Sequence, residues 1–232
     1  MKVTLHQGDC LEYLKTLNPS SVNAIITDPP YGARRPSARR TAEERFAEVE
    51  GNEAVDVRWL PEAFRVLVDG GAAYVFACWD RMEEWKSAMQ DVGFRVRSCI
   101  VWDKGVHGLA DLETCWAPQH EFILFGAKGR HVLRGRRPKD VLRVDRVPSS
   151  KLVHPYQKPV GLMEKICASS CDEGDTVLDP YMGSGATGMA CVRFGLNFIG
   201  CEVDPHHFAT AERRIEEARP TLFAAFGFGE GD

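Results

Sequence analysis

The chain has 232 residues, with 29 Lys and Arg against 33 Asp and Glu, which gives a formal net charge of −4. This length suits one large domain or two small ones, and it buries enough surface to fold without a metal or disulfide. The hydrophobic fraction of 44% and the charged fraction of 27% exclude collagen-like, coiled-coil and wholly disordered chains. Taken as a sum, the mild acidity argues against a nucleic-acid partner.

Short strand-like runs alternate with helical runs along the chain. Strands are predicted at 2–6, 22–27, 72–78, 95–102, 121–125, 176–178 and 198–203. Helices are predicted at 55–68, 80–92, 162–170, 185–194 and 205–218. This alternation is typical of an α/β fold with a mostly parallel sheet and helices on both faces.

Two charged segments interrupt the alternation. Residues 33–51 are rich in Arg and Glu, and residues 126–153 are rich in Arg and Lys. We expect both to be loops or small insertions on a single domain that spans residues 1–232. Ten basic and two acidic residues between 126 and 158 give that stretch a charge of +8, which leaves −12 for the rest of the chain.

Nothing in the sequence indicates a secreted or membrane-spanning protein. No apolar run approaches the roughly 20 residues that cross a bilayer, and the first residues lack a signal-peptide pattern. We therefore expect a cytoplasmic protein whose eight cysteines are reduced and bind no metal. Cys78, Cys99, Cys191 and Cys201 lie in apolar segments and are predicted to be buried.

A glycine-rich turn follows the strand at 176–178. Gly183, Gly185 and Gly188 form a G-x-G-x-x-G pattern that opens a helix, and Glu202 ends the next strand. Glycines there let a ligand approach the backbone, and a carboxylate one strand further on can accept both hydroxyls of a ribose. The sequence therefore predicts a cofactor that contains adenosine.

Asp179 distinguishes two kinds of such cofactor. A carboxylate beside the glycine turn would repel the pyrophosphate of a dinucleotide. It would attract a ligand that carries a sulfonium and an ammonium group. S-adenosylmethionine is therefore favoured over a nicotinamide dinucleotide.

The turn Asp28-Pro29-Pro30-Tyr31 follows the strand at 22–27. Ligands of open α/β sheets bind at the carboxyl ends of the strands. The two prolines remove two N–H donors and fix the turn, so that it offers a carboxylate, a carbonyl and an aromatic face. These groups complement an exocyclic amine on a flat ring, although Asp, Pro and Gly are also common in ordinary turns.

Four segments, taken in this order, carry a resemblance to a known family: 28–31 (DPPY), 154–159 (HPYQKP), 178–185 (LDPYMGSG) and 199–202 (IGCE). They resemble the DNA amino-methyltransferases, which methylate adenine N6 or cytosine N4. The order is similar to that of the beta type, in which the catalytic turn precedes the cofactor turn. The resemblance extends from Val3 to about Ile215.

The resemblance implies a circularly permuted, Rossmann-like methyltransferase fold with a mostly parallel sheet of seven strands. It implies S-adenosylmethionine as cofactor, S-adenosylhomocysteine as product, and no metal. Asp9 is expected beside the adenine of the cofactor, and Lys158 beside its methionine end. The implied cofactor-binding residues are Asp9, Lys158, Asp179, Pro180, Tyr181, Gly183, Ser184, Gly185, Thr187 and Glu202.

The resemblance also implies site-specific methylation of a flipped base in double-stranded DNA, of the restriction–modification type, in a prokaryotic or phage-infected cell. Tyr31 would stack on the base, while Asp28 and the carbonyl of Pro29 would accept the amine hydrogens. Pro30 completes the catalytic turn. Cytosine-N4 members more often carry Ser in place of Asp28. Adenine N6 is therefore the favoured target, with cytosine N4 as the alternative.

Two basic sets are predicted to contact DNA phosphates. Both flank the predicted pocket, one after the catalytic turn and one in a short target-recognition segment at 126–153. So short a segment suggests a short target sequence, loose specificity or a homodimer. The predicted DNA-binding residues are Arg34, Arg35, Arg39, Arg40, Arg134, Arg136 and Arg137.

Other functions remain open from the sequence. Relatives that methylate RNA or a protein glutamine usually carry Asn in place of Asp28 and have the opposite motif order. A dinucleotide-dependent dehydrogenase is disfavoured by Asp179. A non-catalytic DNA-binding module of the same fold is the alternative from a different class.

Overall fold

The computed structural model describes residues 1–31, 55–108 and 113–220, which build one sheet with helices on both faces. The strands are β1 (Val3–Gln7), β2 (Val22–Thr27), β3 (Leu67–Ala77), β4 (Arg95–Asp103), β5 (His120–Ala127), β6 (Val141–Arg143), β7 (Thr176–Asp179) and β8 (Asn197–Glu202). The helices are α1 (Cys10–Thr16), α2 (Leu60–Val66), α3 (Met82–Val92), α4 (Val160–Ser170), α5 (Ala186–Arg193) and α6 (Pro205–Glu217).

The strands lie in the order β1-β8-β7-β2-β3-β5-β4-β6. Neighbours from β1 to β3 are parallel, β5 is antiparallel to both β3 and β4, and β6 is parallel to β4. The mostly parallel α/β sheet is therefore confirmed. β7, which leads into the predicted cofactor turn, is directly beside β2, which leads into the predicted catalytic turn. The first strand pairs with the last, as a circularly permuted order requires.

The predicted count of seven strands is wrong, because the described residues form eight. The additional strand, β6, has three residues and extends the edge of the sheet beside β4. It lies within 126–153, for which the sequence predicts a loop or a small insertion. Its side chains are exposed or half-buried, so the sequence lacks the apolar run that would predict a strand.

Each face of the sheet has its own apolar core. On one face, α4, α5 and α6 bury residues such as Ile166, Ala190 and Ile215. On the other face, α1, α2 and α3 bury Leu14 and Trp85 among others. Helices on both sides leave the two ends of the strands as the places where the sheet opens to a ligand.

The predicted helix at 55–68 is too long. The helix is Leu60–Val66, and β3 begins at Leu67, which pairs with Val22. Gly70, with φ +80°, lies within β3 and donates its amide to the carbonyl of Lys128. The apolar period of 3.6 continued into the first residues of a buried strand, so the pattern overran the boundary.

The remaining sequence predictions concern the insertion at 33–51, membrane-spanning helices and the cysteines. The insertion at 33–51 lies outside the described residues. No helix in the described part of the chain has the length and apolar character needed to cross a bilayer. The eight cysteines, which all belong to the described residues, form no disulfide. Cys78, Cys191 and Cys201 are buried, whereas Cys99 is only half-buried.

Candidate functional site

Three strand ends bring the predicted site residues to one edge of the sheet. β2, β7 and β8 are adjacent and parallel, so their carboxyl ends meet. Asp28 follows β2, Asp179 ends β7, and Glu202 ends β8. The edge where α/β proteins bind ligands therefore carries three carboxylates side by side.

Asp179 is a buried carboxylate supplied with neutral donors. The hydroxyl of Thr187 donates to Oδ2 at 2.7 Å, and the amide of Tyr181 donates to Oδ1 at 3.2 Å. Burial raises the pKa of Asp179 to about 7, and these hydrogen bonds only partly offset it. No cationic side chain of the described residues pairs with Asp179. A ligand cation would complete the arrangement.

Glu202 links the cofactor turn to the neighbouring strand. Its Oε2 accepts from the amide of Gly183 at 3.0 Å, and its Oε1 accepts from the amide of Asp204 at 2.9 Å. Each carboxylate oxygen has a second lone pair free to accept a hydroxyl. Burial raises the pKa of Glu202, against the lowering effect of these amides.

The glycines of the turn adopt conformations that other residues resist. Gly183 has φ +50° and Gly185 has φ +80°, both in the left-handed region. Gly185 precedes α5, and a Cβ there would lie 3.1 Å from Cβ of Ala211. The backbone amides of the turn are thereby left close to the strand ends.

The other predicted cofactor residues surround this turn. Pro180 and Ser184 are buried, and the carbonyl of Ser184 accepts a hydrogen bond from Arg214. The ring of Tyr181 packs edge-on against Trp59, with centroids 6.0 Å apart.

Asp9 lies close to Glu202, at the end of β8. Its Oδ1 caps α1 by accepting from the amide of Leu11 at 2.8 Å, and its side chain is exposed. The preceding Gly8 donates its amide to the carbonyl of Glu202 at 2.9 Å. Asp9 is therefore close to the predicted ribose site, and its role beside the adenine stays a prediction.

The catalytic turn forms a compact polar group. The hydroxyl of Tyr31 donates to Oδ1 of Asp28, and the ammonium of Lys158 donates to Oδ2. Nζ of Lys158 also lies 3.3 Å from Oη of Tyr31. Burial raises the pKa of Asp28, while Lys158 and Tyr31 act to lower it. Lys158, expected at the methionine end of the cofactor, thus contacts the catalytic carboxylate.

Lys158 also lies near Glu121, which pairs in turn with Lys104, and the sequence predicts a role for neither. Oε2 of Glu121 lies 3.3 Å from Nζ of Lys158, and its Oε1 lies 2.6 Å from Nζ of Lys104. Glu121 is at the start of β5, which runs antiparallel to its neighbours. A strand that starts at the ligand-binding edge is not found by looking for residues at strand ends.

The sequence comparison decides the family. The N6/N4 DNA methylase family matches residues 22–213, which include both turns and most of the sheet. The chain is a DNA methylase of this family. It is 28% identical, over 94% of its length, to the type II methyltransferase M.HinfI of Haemophilus influenzae, and the match covers 69% of that protein.

Solved structures share the fold of the methylase. The complex of M1.HpyAVI with SAM superposes with a TM-score of 0.70 at 27% identity, covering 91% of the methylase and 99% of that chain. The cytosine-N4-specific PvuII DNA methyltransferase has a TM-score of 0.76 at 17% identity, covering 94% of the methylase and 90% of that chain. At that identity, the second likeness concerns the fold alone.

The predicted DNA-binding residues of the methylase are only partly described. Arg34, Arg35, Arg39 and Arg40 lie outside the described residues. Nε of Arg134 lies 2.8 Å from Oδ2 of Asp172, just after α4. Arg136 and Arg137 are exposed.

Arg134 lies away from the catalytic edge of the methylase. Its amide donates to the carbonyl of Ser169, near the end of α4. Ala127, which ends β5, pairs with Ala72 of β3, which in turn pairs with Ala24 near the start of β2. Both features belong to the sheet edge opposite Asp28, because β3 runs parallel to β2.

A histidine pair borders the cofactor turn of the methylase. The rings of His154 and His207 meet at 4.2 Å between centroids, and a Cβ on Gly183 would lie 3.6 Å from the His154 ring. Burial lowers the pKa of His154 to about 4, and His207 adds to this effect. His154 is therefore neutral at physiological pH. His206 is exposed, whereas His207 is half-buried against His154.

Proposed function

We propose that the chain methylates the N6 amine of adenine in double-stranded DNA, with S-adenosylmethionine as donor and S-adenosylhomocysteine as product. The observation that carries this proposal is the adjacency of two turns on neighbouring parallel strands. Asp28 follows β2, and the glycine turn with Asp179 follows β7. An amine held at the first turn would thus face a methyl group held at the second.

The residues of the cofactor turn fit S-adenosylmethionine. Asp179 is a buried carboxylate without a cationic partner among the described residues, which suits the ammonium group of the methionine part. Glu202 suits the ribose hydroxyls, and the turn with Gly183, Ser184 and Gly185 leaves room along the backbone. When bound, this cofactor supplies the methyl group and a sulfur leaving group.

The catalytic turn fits an exocyclic amine. Asp28 and the carbonyl of Pro29 would accept its two hydrogens, and the ring of Tyr31 would stack on the base, which is worth about 1–3 kcal/mol. The nitrogen forms a bond to the methyl carbon while the carbon–sulfur bond breaks. One amine proton then leaves, and Asp28 is the nearest base. Catalysis thus comes mainly from placement and charge.

The base at the catalytic turn must come from DNA bound over the same edge. The chain from Val144 to Lys158 crosses this edge, since Val144 donates its amide to the carbonyl of Asp103 and Lys158 reaches Asp28. Its exposed basic residues are Arg146 and Lys151, with Arg143 just before them. We propose these three as phosphate contacts, and a homodimer as the means of enlarging so small a surface.

One experiment tests the reaction. Unmethylated duplex DNA is incubated with the protein and S-adenosylmethionine, digested to nucleosides and measured by mass spectrometry. N6-methyladenine supports the proposal. N4-methylcytosine identifies the alternative target, and DNA binding without any methylated nucleoside identifies a binding module.

The variant Asp28→Ala tests the assigned chemistry. It should lose methyl transfer and keep cofactor affinity within about threefold, because Asp28 contacts the base and not the cofactor. Asp91→Ala, on the exposed face of α3, is the matched control and should retain full activity. Full activity of Asp28→Ala would contradict the assignment.

A further inference from the structure

Four charged side chains are linked by ion pairs into a network, here called the charged network, that ends at the proposed catalytic carboxylate, Asp28. Lys104 contacts Glu121 at 2.6 Å, Glu121 lies 3.3 Å from Lys158, and Lys158 donates to Asp28. Two positive and two negative groups make the charged network neutral. They come from four separate places: the turn after β2, the turn after β4, the start of β5 and the segment before α4.

The charged network is shielded from solvent. The side chain of Lys158 is 7% exposed, and those of Glu121 and Lys104 are each 17% exposed. Buried ion pairs add little to stability compared with apolar residues of the same size. Charges kept in such a place therefore point to a use in the site, as charged clusters beside a cleft often do.

The ammonium of Lys158 donates hydrogen bonds to Oδ2 of Asp28 and Oη of Tyr31. Oε2 of Glu121 lies 3.3 Å from Nζ as an ion-pair partner, outside hydrogen-bond geometry. The rings of Phe76 and Tyr31 lie 5.1 and 5.6 Å from Nζ, within cation–π range. Lys158 is thus held on all sides and fixes Asp28 relative to Tyr31.

Lys158 occupies an oxygen of Asp28 that an incoming amine needs. A cation left at that place would oppose the positive charge that the amine gains during methyl transfer. Glu121 offers Lys158 a second carboxylate, so that the charge of Asp28 can serve the amine. Lys104 keeps Glu121 itself paired.

We propose that Lys158 is a positioning residue for methyl transfer, which holds the Asp28 carboxylate in place and yields one of its oxygens to the target amine while Glu121 retains the ammonium. This inference rests on the proposed function and assigns a role within the same site.

The proposal predicts opposite effects on the pKa of Asp28 for the loss of Lys158 and for the loss of the Glu121 charge. Burial raises the pKa of Asp28; Lys158 lowers it, and Glu121 raises it. Loss of Lys158 should therefore move the pKa of Asp28 upward, and loss of the Glu121 charge should move it downward. The titratable and charged groups around Lys158 and Asp28 are Tyr31, Lys104, Glu121, His154 and Asp179, and Cys78 acts on Tyr31.

The test compares Lys158→Met, Lys158→Arg and Glu121→Gln with the wild type. Single-turnover methylation of duplex DNA is measured between pH 5.5 and 9, and S-adenosylmethionine affinity is measured by calorimetry. Lys158→Met should lose about 100-fold in rate, with its acidic limb shifted upward by about one pH unit. Glu121→Gln should shift this limb downward, and Lys158→Arg should restore part of the rate.

A second measurement needs neither cofactor nor DNA. The carboxyl carbons of aspartate are labelled with ¹³C, and the titration of Asp28 is followed by NMR in each variant. The same opposite shifts are expected there, and they also test a variant that is inactive for other reasons. Lys165→Met, on the exposed face of α4, is the control and should change neither titration nor rate.

Three outcomes overturn the inference. In the first, Lys158→Met keeps a rate within threefold of the wild type. In the second, both variants shift the titration in the same direction, as a merely structural role predicts. In the third, Lys158→Met weakens cofactor affinity at an unchanged Asp28 titration, which would assign Lys158 to the cofactor. A wild type that methylates no base overturns the proposed function, and this inference with it.

Discussion

The amide of Gly183 donates to Oε2 of Glu202 at 3.0 Å, so that the cofactor turn after β7 is fastened to the end of β8. The same carboxylate binds the amide of Asp204 through its other oxygen. Glu202 therefore shapes the turn, and we propose that its remaining lone pairs accept the ribose hydroxyls of the cofactor.

Glu202→Gln should weaken S-adenosylmethionine binding by about 10- to 100-fold, since hydrogen bonds to a charged group are worth roughly 1.5–3 kcal/mol. The amide nitrogen of Gln would also face one of the two backbone amides, donor against donor. Calorimetry on the DNA-free protein gives the dissociation constant. Glu212→Gln, exposed on α6, is the control, and equal affinities for the two variants would contradict the role of Glu202.

Cofactor affinity should depend on pH through Asp179. Its pKa is raised to about 7, so the carboxylate that we propose to pair with the cofactor ammonium is increasingly protonated below that pH. The dissociation constant should rise by up to about tenfold for each pH unit below 7, because binding must release one proton. Titration calorimetry at pH 5.5 to 8 measures this slope.

Asp179→Asn is the matched control for that pH dependence. It should bind weakly at every pH and show a flat profile, since Asn does not titrate. A slope in Asp179→Asn as steep as that of the wild type would assign the pH dependence to another group.

Two helical glycines should respond oppositely to alanine. A Cβ on Gly188 in α5 would lie 2.5 Å from Cδ1 of Ile215 and 2.7 Å from Cε1 of Phe198, so Gly188→Ala should cost about 1–3 kcal/mol of unfolding free energy. A Cβ on Gly161 in α4 would meet only Oε2 of Glu164 at 3.9 Å. Gly161→Ala should therefore be neutral or stabilise by up to about 1 kcal/mol. Urea unfolding measures both, and a loss of equal size in the two variants would refute the packing role of Gly188.

Arg143, Arg146 and Lys151 should matter more for DNA binding than Arg134, Arg136 and Arg137 do. Replacing Arg143, Arg146 and Lys151 by Ala should weaken duplex binding and reduce the slope of log affinity against log salt by about 0.9 for each lost phosphate contact. The matched triple variant replaces Arg134, Arg136 and Arg137, which we expect to matter less because Arg134 lies at the opposite edge beside Asp172. Fluorescence anisotropy at several salt concentrations compares the two. A larger change in the second variant would place the DNA there.

The sequence predicted the two turns because their signals are local. Prolines and glycines directly after an apolar strand mark a ligand edge, and parallel order brings those edges together. The same reasoning missed α1, since a helix of seven residues that buries only Cys10 and Leu14 shows too little periodicity. It also missed β6, whose three residues lie at a sheet edge.

The charged network that ends at Asp28 could not be predicted in the same way. Lys104, Glu121 and Lys158 are far apart in sequence, and only the antiparallel course of β5 brings Glu121 to the catalytic edge. A sequence pattern records neighbours along the chain. Contacts between strands of mixed direction are fixed by the sheet order, which a single sequence does not contain.

The position of β2 between β3 and β7 has a consequence for how the chain is made. β2 ends at Thr27, but β7 begins only at Thr176, so at about 5–20 residues per second the ribosome delivers its second neighbour roughly 8–30 s later. Until then, one side of an apolar strand has no partner, and such edges pair readily with other chains. Nascent or truncated chains that stop before Asp179 should therefore aggregate or bind chaperones, whereas chains that include both β7 and β8 should not.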